Sequence, residues 1–189
     1  MGEAEYIRQI VSPLTEWFES HARQLPWRSD PRPYYVWVSE IMLQQTRVEA
    51  VKPYFARFIT ELPDIAALAR CPEDRLLKLW EGLGYYNRVR NMQKAAVEVM
   101  EKYHGALPAD YDLLRSLPGI GSYTAGAIAS IAFGIPVPAV DGNVLRVISR
   151  IIENDEDILL QSVKNRMEQM LLEIIPEKDP GIFNQALME

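Results

Sequence analysis

The chain has one cysteine, Cys71, in 189 residues, which excludes an internal disulfide and any multi-cysteine metal site built from its own side chains. A lone cysteine reads most simply as a small apolar filler. No uninterrupted apolar stretch approaches the ~18 residues that a membrane helix needs. The opening Met1-Gly2-Glu3-Ala4-Glu5 lacks the basic start and apolar run of a signal peptide. Tyr6 stands where a myristoylation signal requires Ser or Thr. The expectation is a cytosolic protein with no membrane partner. No apolar/polar alternation marks a strand, and no segment repeats. A basic surplus is missing as well. The net charge of −6 argues against an indiscriminate nucleic-acid binder.

That charge is unevenly spread. Residues 153–189 hold nine acids against three bases, whereas the preceding residues hold seventeen of each. Between Arg115 and Arg150 the balance reverses, with Arg115, Arg146 and Arg150 facing only Asp141. Local charge decides where a phosphate backbone docks, so DNA is not excluded. Hydrophobic residues make up 48%, enough to build a core for one large domain or two small lobes.

Helical periodicity runs through nearly the whole chain, which predicts an all-α fold. Ile7, Ile10, Val11, Leu14, Trp17 and Phe18 recur at helical spacing, an amphipathic first helix despite Pro13. Residues 25–33 are proline-rich and read as a loop. Residues 36–58 predict one or two helices broken at Pro53. Further helices follow at 64–68, 72–79, 89–103, 111–117, 124–133, 143–152 and 161–175, and another starts at 182. Asp141 or Asn143 can cap the helix that follows them. The last residues, Phe183 to Glu189, look like the middle of a helix, as in a piece of a longer protein.

Five segments carry candidate chemistry. Leu117-Pro118-Gly119-Ile120-Gly121-Ser122 describes a hairpin opening a helix, whose backbone N–H groups can hold a phosphate. An ordinary helix corner has the same pattern. Asp141, after Val140 and before Gly142, is one candidate carboxylate, and a plain N-cap is its simpler role. Glu40 is embedded among Val38, Ile41, Met42 and Leu43. Such surroundings remove water from a carboxyl group, raise its pKa and suit it to general-acid work. A surface Glu with apolar neighbours on the other helix face also fits. Two carboxylates in different environments suit cleavage of a glycosidic bond. Leu43, Gln44 and Gln45, with Leu83 and Tyr85 near Gly82 and Gly84, could enter a base stack beside an extruded nucleotide. Leu83, Tyr85 and Tyr86 could equally be core. Trp27 and Arg28 could line a base pocket, or anchor the proline-rich loop.

Together, Leu25-Pro26-Trp27-Arg28, residues 36–46, Trp80-Glu81-Gly82-Leu83-Gly84-Tyr85-Tyr86, the hairpin and residues 140–147 closely resemble the helix-hairpin-helix DNA glycosylase superfamily. Within it the chain looks like the MutY-type adenine DNA glycosylases, and the likeness runs from about Leu25 to the last residue. The resemblance implies a two-lobed fold. A six-helix barrel at residues 24–135 holds the hairpin at about 110–133, and residues 1–23 and 136–189 form a second helical lobe. It implies a base excision repair enzyme that hydrolyses adenine from mispairs with 8-oxoguanine or guanine. The partner is double-stranded DNA, and the enzyme is a monomer of the bacterial cytoplasm, associated with the nucleoid.

Residue by residue, the resemblance makes Glu40 the acid that protonates adenine N7. Asp141 stabilises the sugar cation. Tyr123 holds Asp141 and the sugar, and Asn143 positions Asp141 and a phosphate. Trp27, Arg28 and Gln185 form the adenine pocket, although some relatives have Glu at the position of Gln185. Gln45 and Tyr85 occupy the stack beside the oxidised guanine. Pro118, Gly119, Ile120, Gly121 and Ser122 grip the phosphate. Endonuclease III-like relatives carry a Schiff-base lysine where this chain has Tyr123, so the resemblance implies a glycosylase without strong lyase activity. A bifunctional endonuclease III-like enzyme and a non-catalytic DNA-binding module are the competing readings. The family's 4Fe–4S cluster takes four cysteines that would lie beyond Glu189. No cofactor and no metal is expected on these residues.

Overall fold

The protein is described by a computed structural model over residues 2–189; of the N-terminal stretch read above, Met1 lies outside it. Thirteen α-helices make up the described residues, with no strand among them. Helices α1 (Glu3–Arg8) and α2 (Val11–His21) replace the single first helix expected from the periodicity. Pro13, third residue of α2, explains the break. Its ring would collide with the carbonyl four residues earlier, that of Gln9, and within a first turn its missing N–H is not needed. The proline-rich loop contains a short helix, α3 (Pro26–Ser29), started by Pro26 at its first position.

The segment expected to break at Pro53 breaks elsewhere. Helix α4 (Pro33–Leu43) ends before Gln44-Gln45, and α5 (Val48–Glu61) runs through Pro53. Pro53 and Glu49, whose carbonyl it leaves unpaired, are both exposed, so water can take that carbonyl. The chain turns instead at Gln45, where φ is +59°. Then come α6 (Ile65–Arg70), α7 (Glu73–Trp80), α8 (Asn87–Lys102), α9 (Tyr111–Ser116) and α10 (Ser122–Ala127). A π-helical turn (Ile128–Ala132), α11 (Gly142–Ile151), α12 (Gln161–Ile174) and α13 (Pro180–Met188) complete the chain. Asp64 and Asp110 cap α6 and α9 by accepting from Ala67 N (2.7 Å) and Leu113 N (2.8 Å).

Two compact units result. One spans Gln24–Thr124, and the other joins the residues up to Arg23 with Ala125–Glu189. The division falls inside α10 rather than at residue 135. The Gln24–Thr124 unit is built around α4, which is buried from Val36 to Met42. Trp37, Phe55, Phe58 and Trp80 are fully buried around it, with Phe58 edge-on to Trp80 at 5.9 Å. Cys71 is buried here as the expected filler, and burial pushes its thiol above the ordinary range.

The core of the other unit gathers Ile7, Val144, Ile148, Met167, Leu171 and Phe183. Packing there is close enough to require glycine. A Cβ on Gly126 would meet the Pro138 carbonyl oxygen at 2.2 Å, and one on Gly181 would meet Ile131 Cα at 2.6 Å. Buried Asn184 ties the same region together. Its amide donates to Ser130 Oγ (2.8 Å) and the Val137 carbonyl (2.9 Å), and its Oδ1 accepts from Ala139 N (3.1 Å). No helix among the described residues is long and apolar enough to cross a membrane.

Gly126→Ala should destabilise the protein although alanine favours helices by about 1 kcal/mol. Overpacking costs about 1–3 kcal/mol or more, and a backbone carbonyl at 2.2 Å yields little, so the clash outweighs that gain. Thermal denaturation should show Tm falling by several degrees; a raised Tm would contradict the packing described.

Candidate active site

Within the Gln24–Thr124 unit, the decisive group is the Glu40 carboxyl. It lies near the end of α4 with 6% of its surface exposed, so the surface-Glu alternative is excluded. Tyr123, second residue of α10, donates its phenol hydroxyl to Glu40 Oε2 at 2.7 Å. A carboxyl removed from water needs such a donor, because an unsatisfied buried polar group costs about 1–3 kcal/mol. The sequence reading assigned Tyr123 to Asp141 and the sugar; the structure gives it Glu40 as a partner.

Trp27 is buried and packs edge-on against Phe55 at 5.2 Å, which fits its loop-anchor role, and Arg28 beside it is half-buried. Leu83 is core, as its apolar character allows. Tyr85 is not: 68% of it is exposed, and Tyr86 also reaches the surface. Leu43 and Gln44 are half-buried, and Gln45 is exposed. In the hairpin, Pro118 is half-buried, Ile120 is buried, and Gly121 and Ser122 are exposed. Gly119 adopts φ +78°, and a Cβ there would meet Asn91 Cβ at 2.8 Å. The Ile120 N–H is already used, donating to the Leu117 carbonyl at 3.1 Å. The amides at the start of α10 have no intrahelical acceptor, and such amides can face a phosphate.

In the other unit, Asp141 is the N-cap of α11, as its position after Val140 suggested. Its Oδ1 accepts from Asn143 N (2.9 Å) and Val144 N (2.8 Å). Its Oδ2 accepts from Asn143 Nδ2 at 3.0 Å, so Asn143 orients the carboxylate twice. The extended segment leading to Asp141 is the one held by Asn184. Gln185 is half-buried and donates to the Gly181 carbonyl of its own helix (3.1 Å).

Two residues with structural leverage on these groups escaped sequence reading. Asn184 looked like one polar residue in an apolar run. Arg88 looked like any helix-surface arginine, yet its guanidinium is half-buried and bonded to backbone carbonyls, and desolvation pulls its pKa down.

A family model described as the HhH-GPD superfamily of base excision DNA repair proteins matches residues 38–177. The chain belongs to that superfamily. Among curated relatives, the adenine DNA glycosylase of Mus musculus is 42% identical over 187 residues, covering 94% of this chain and 36% of the relative. That of Buchnera aphidicola subsp. Acyrthosiphon pisum is 39% identical over 184 residues, covering 96% of this chain and 53% of the relative. The chain thus spans between about a third and a half of the length of these relatives. Among solved structures, a thermostable thymine-DNA glycosylase superposes with TM-score 0.85 at 27% identity, covering 96% of this chain and 84% of that one. Endonuclease III in a non-covalent DNA complex superposes with TM-score 0.81 at 27% identity, covering 100% and 85%.

The adenine DNA glycosylase and endonuclease III-like relatives are of a family that usually has a 4Fe–4S cluster. Such a cluster is held by four thiolates. Cys71 is the one thiol of this chain, and no group of three or more metal-ligating side chains converges among the described residues. These residues do not fit the cluster.

Removing the α11 cap should separate its structural role from any chemical one. Asp141→Ala is expected to cost about 0.5–2 kcal/mol, while Asp141→Asn, an equally good cap, stays near the parent. Urea denaturation midpoints report this, and a parental midpoint for Asp141→Ala would show that the cap contributes nothing.

Proposed function

We propose that this chain carries a monofunctional adenine DNA glycosylase, which hydrolyses the N-glycosidic bond of adenine mispaired with 8-oxoguanine or guanine in duplex DNA. The observation that carries this reading is the buried Glu40 carboxyl held by the Tyr123 hydroxyl at 2.7 Å. It places a phenol, which cannot form a Schiff base, against the one buried acid of the Gln24–Thr124 unit. Adenine DNA glycosylases at about 40% identity over most of this chain support the same substrate.

In this reaction the extruded adenine is taken up beside Trp27 and Arg28. Glu40 in its acid form gives its proton to adenine N7. With Oε2 accepting from Tyr123, the proton to be given sits on Oε1. The C1′–N9 bond breaks and its electron pair leaves with the neutral base. Asp141, oriented by Asn143, faces the developing positive charge on the sugar. A water adds to C1′, and the proton it loses restores Glu40. Opposed carboxyl roles of this kind are the usual solution for glycosidic bonds. Exposed Gln45 and Tyr85 act in the stack beside the opposite base, next to half-buried Leu43 and Gln44, while Leu83 stays in the core. The hairpin and Ser122 at the head of α10 hold a phosphate. The Gln24–Thr124 unit corresponds in this proposal to the family's six-helix barrel, and the partner is double-stranded DNA bound by a monomer.

Single-turnover release of adenine from an 8-oxoguanine:adenine duplex tests the assignment. Glu40→Gln and Asp141→Asn should each slow it by about 10²–10⁴-fold, the usual contribution of acid–base groups. Tyr123→Phe should slow it by roughly three- to tenfold, the value of one hydrogen bond. Near-parental rates in both carboxyl variants would end the proposal. Borohydride should trap no adduct on DNA; a trapped adduct would favour an endonuclease III-like lyase instead. Unchanged duplex binding with no release by the parent chain would mark a binding module.

A further inference from the structure

We infer that Arg88 is a positioning residue that couples the Gln44-Gln45 turn to the Gly84-Tyr85 turn, so that Gln45 and Tyr85 meet DNA as one rigid pair. The inference rests on the activity proposed above and adds to it a residue that touches neither base nor sugar.

Arg88 lies in the first turn of α8. A cation there opposes the dipole of its own helix, so its favourable interactions must be found elsewhere. They are found on two other segments. Nη1 donates to the carbonyls of Ile41 (2.8 Å) and Gln44 (2.7 Å), with Met42 at 3.5 Å. These are the last carbonyls of α4, a helix with no basic residue in its own final turn. Nη2 donates to the carbonyls of Leu83 (3.0 Å) and Gly84 (3.3 Å). The guanidinium also lies over the rings of Trp80 (5.5 Å) and Tyr85 (5.6 Å). Nε is buried without a hydrogen-bond partner among the described residues, so the group is committed to these carbonyls at the expense of one donor.

Both turns hold a residue in a disfavoured backbone state. Gln45 has φ +59° and Tyr85 has φ +47°. The left-handed region is uncommon for any side-chain-bearing residue, and most of all for a bulky one. Such conformations persist where surrounding contacts over-determine them. In each case the preceding carbonyl, Gln44 or Gly84, is bonded to Arg88. Each strained residue also points an exposed side chain to solvent, where a base stack can be met. One planar cation thus fixes the separation of two probes that belong to different turns. Lysine cannot do the same, since an ammonium lacks the rigid fork that reaches two segments at once.

Arg88→Lys and Arg88→Met, compared with the parent chain, test this in two ways. Hydrogen–deuterium exchange on the free protein should show residues 44–47 and 82–86 losing protection together, by about tenfold or more, as charge-assisted bonds to both are lost. Residues 128–139 should keep parental protection. Independent changes in the two turns, or none, would overturn the coupling. The second measurement is the ratio of single-turnover adenine release from 8-oxoguanine:adenine and guanine:adenine duplexes. Arg88→Met should lower that ratio about tenfold, the loss of roughly one charge-assisted hydrogen bond. General destabilisation would instead slow both duplexes alike. A parental ratio in a variant that has lost protection at both turns would overturn the role in discrimination. A parent chain that releases no adenine would end the proposed activity, while the exchange data still decide whether Arg88 couples the turns.

Discussion

A carboxyl group buried inside a helical core must be given a hydrogen-bond donor or it opposes folding. The contact between Tyr123 and Glu40 meets that requirement, and much of the Gln24–Thr124 unit is arranged around it. Helix α4 is buried along most of its length, so Glu40 has little water of its own. The phenol that replaces that water belongs to Tyr123, the residue directly after the Leu117–Ser122 hairpin. The hairpin in turn depends on Gly119, where a left-handed backbone and the close approach of Asn91 admit no side chain. The candidate phosphate grip and the donor to the candidate acid are therefore set by one turn.

The second carboxylate is positioned by a different kind of constraint. Asp141 sits where an extended segment enters α11, and that segment is held from behind by the buried amide of Asn184. Gly126 lets its helix approach that segment at Pro138, and Gly181 lets α13 approach the π-helical turn at Ile131. Asn143 and Val144 then fix the carboxylate oxygens through the cap. Capping and chemistry do not compete here. An N-cap places a carboxylate at a defined angle at a helix N-terminus, and chemistry on a sugar cation needs such a fixed charge.

Much of this was legible because it is local. The cap of α11, the turn glycines and the apolar faces follow from neighbouring residues, and so did the choice of Glu40 and Asp141 as candidates. The misplacements were also instructive. Pro53 looked like a breaker, but a proline on an exposed helix face frees a carbonyl that water can satisfy. Pro13 was discounted, but it interrupts the first helix at Gln9. Leu83 and Tyr85 formed one group in sequence, yet one became core and the other surface, since the left-handed backbone at Gly84 and Tyr85 turns the chain between them.

From its residue order alone this chain determined an all-α architecture, most helix limits, two candidate acids and its superfamily, because helical period, capping and turn chemistry act within a few residues. The tertiary structure alone decided which groups meet. Tyr123 reaches Glu40 across 83 positions, Arg88 reaches Ile41 across 47, and Asn184 reaches Ser130 across 54. Whether a buried polar group finds its partner depends on where the chain closes on itself, and no local pattern encodes that closure.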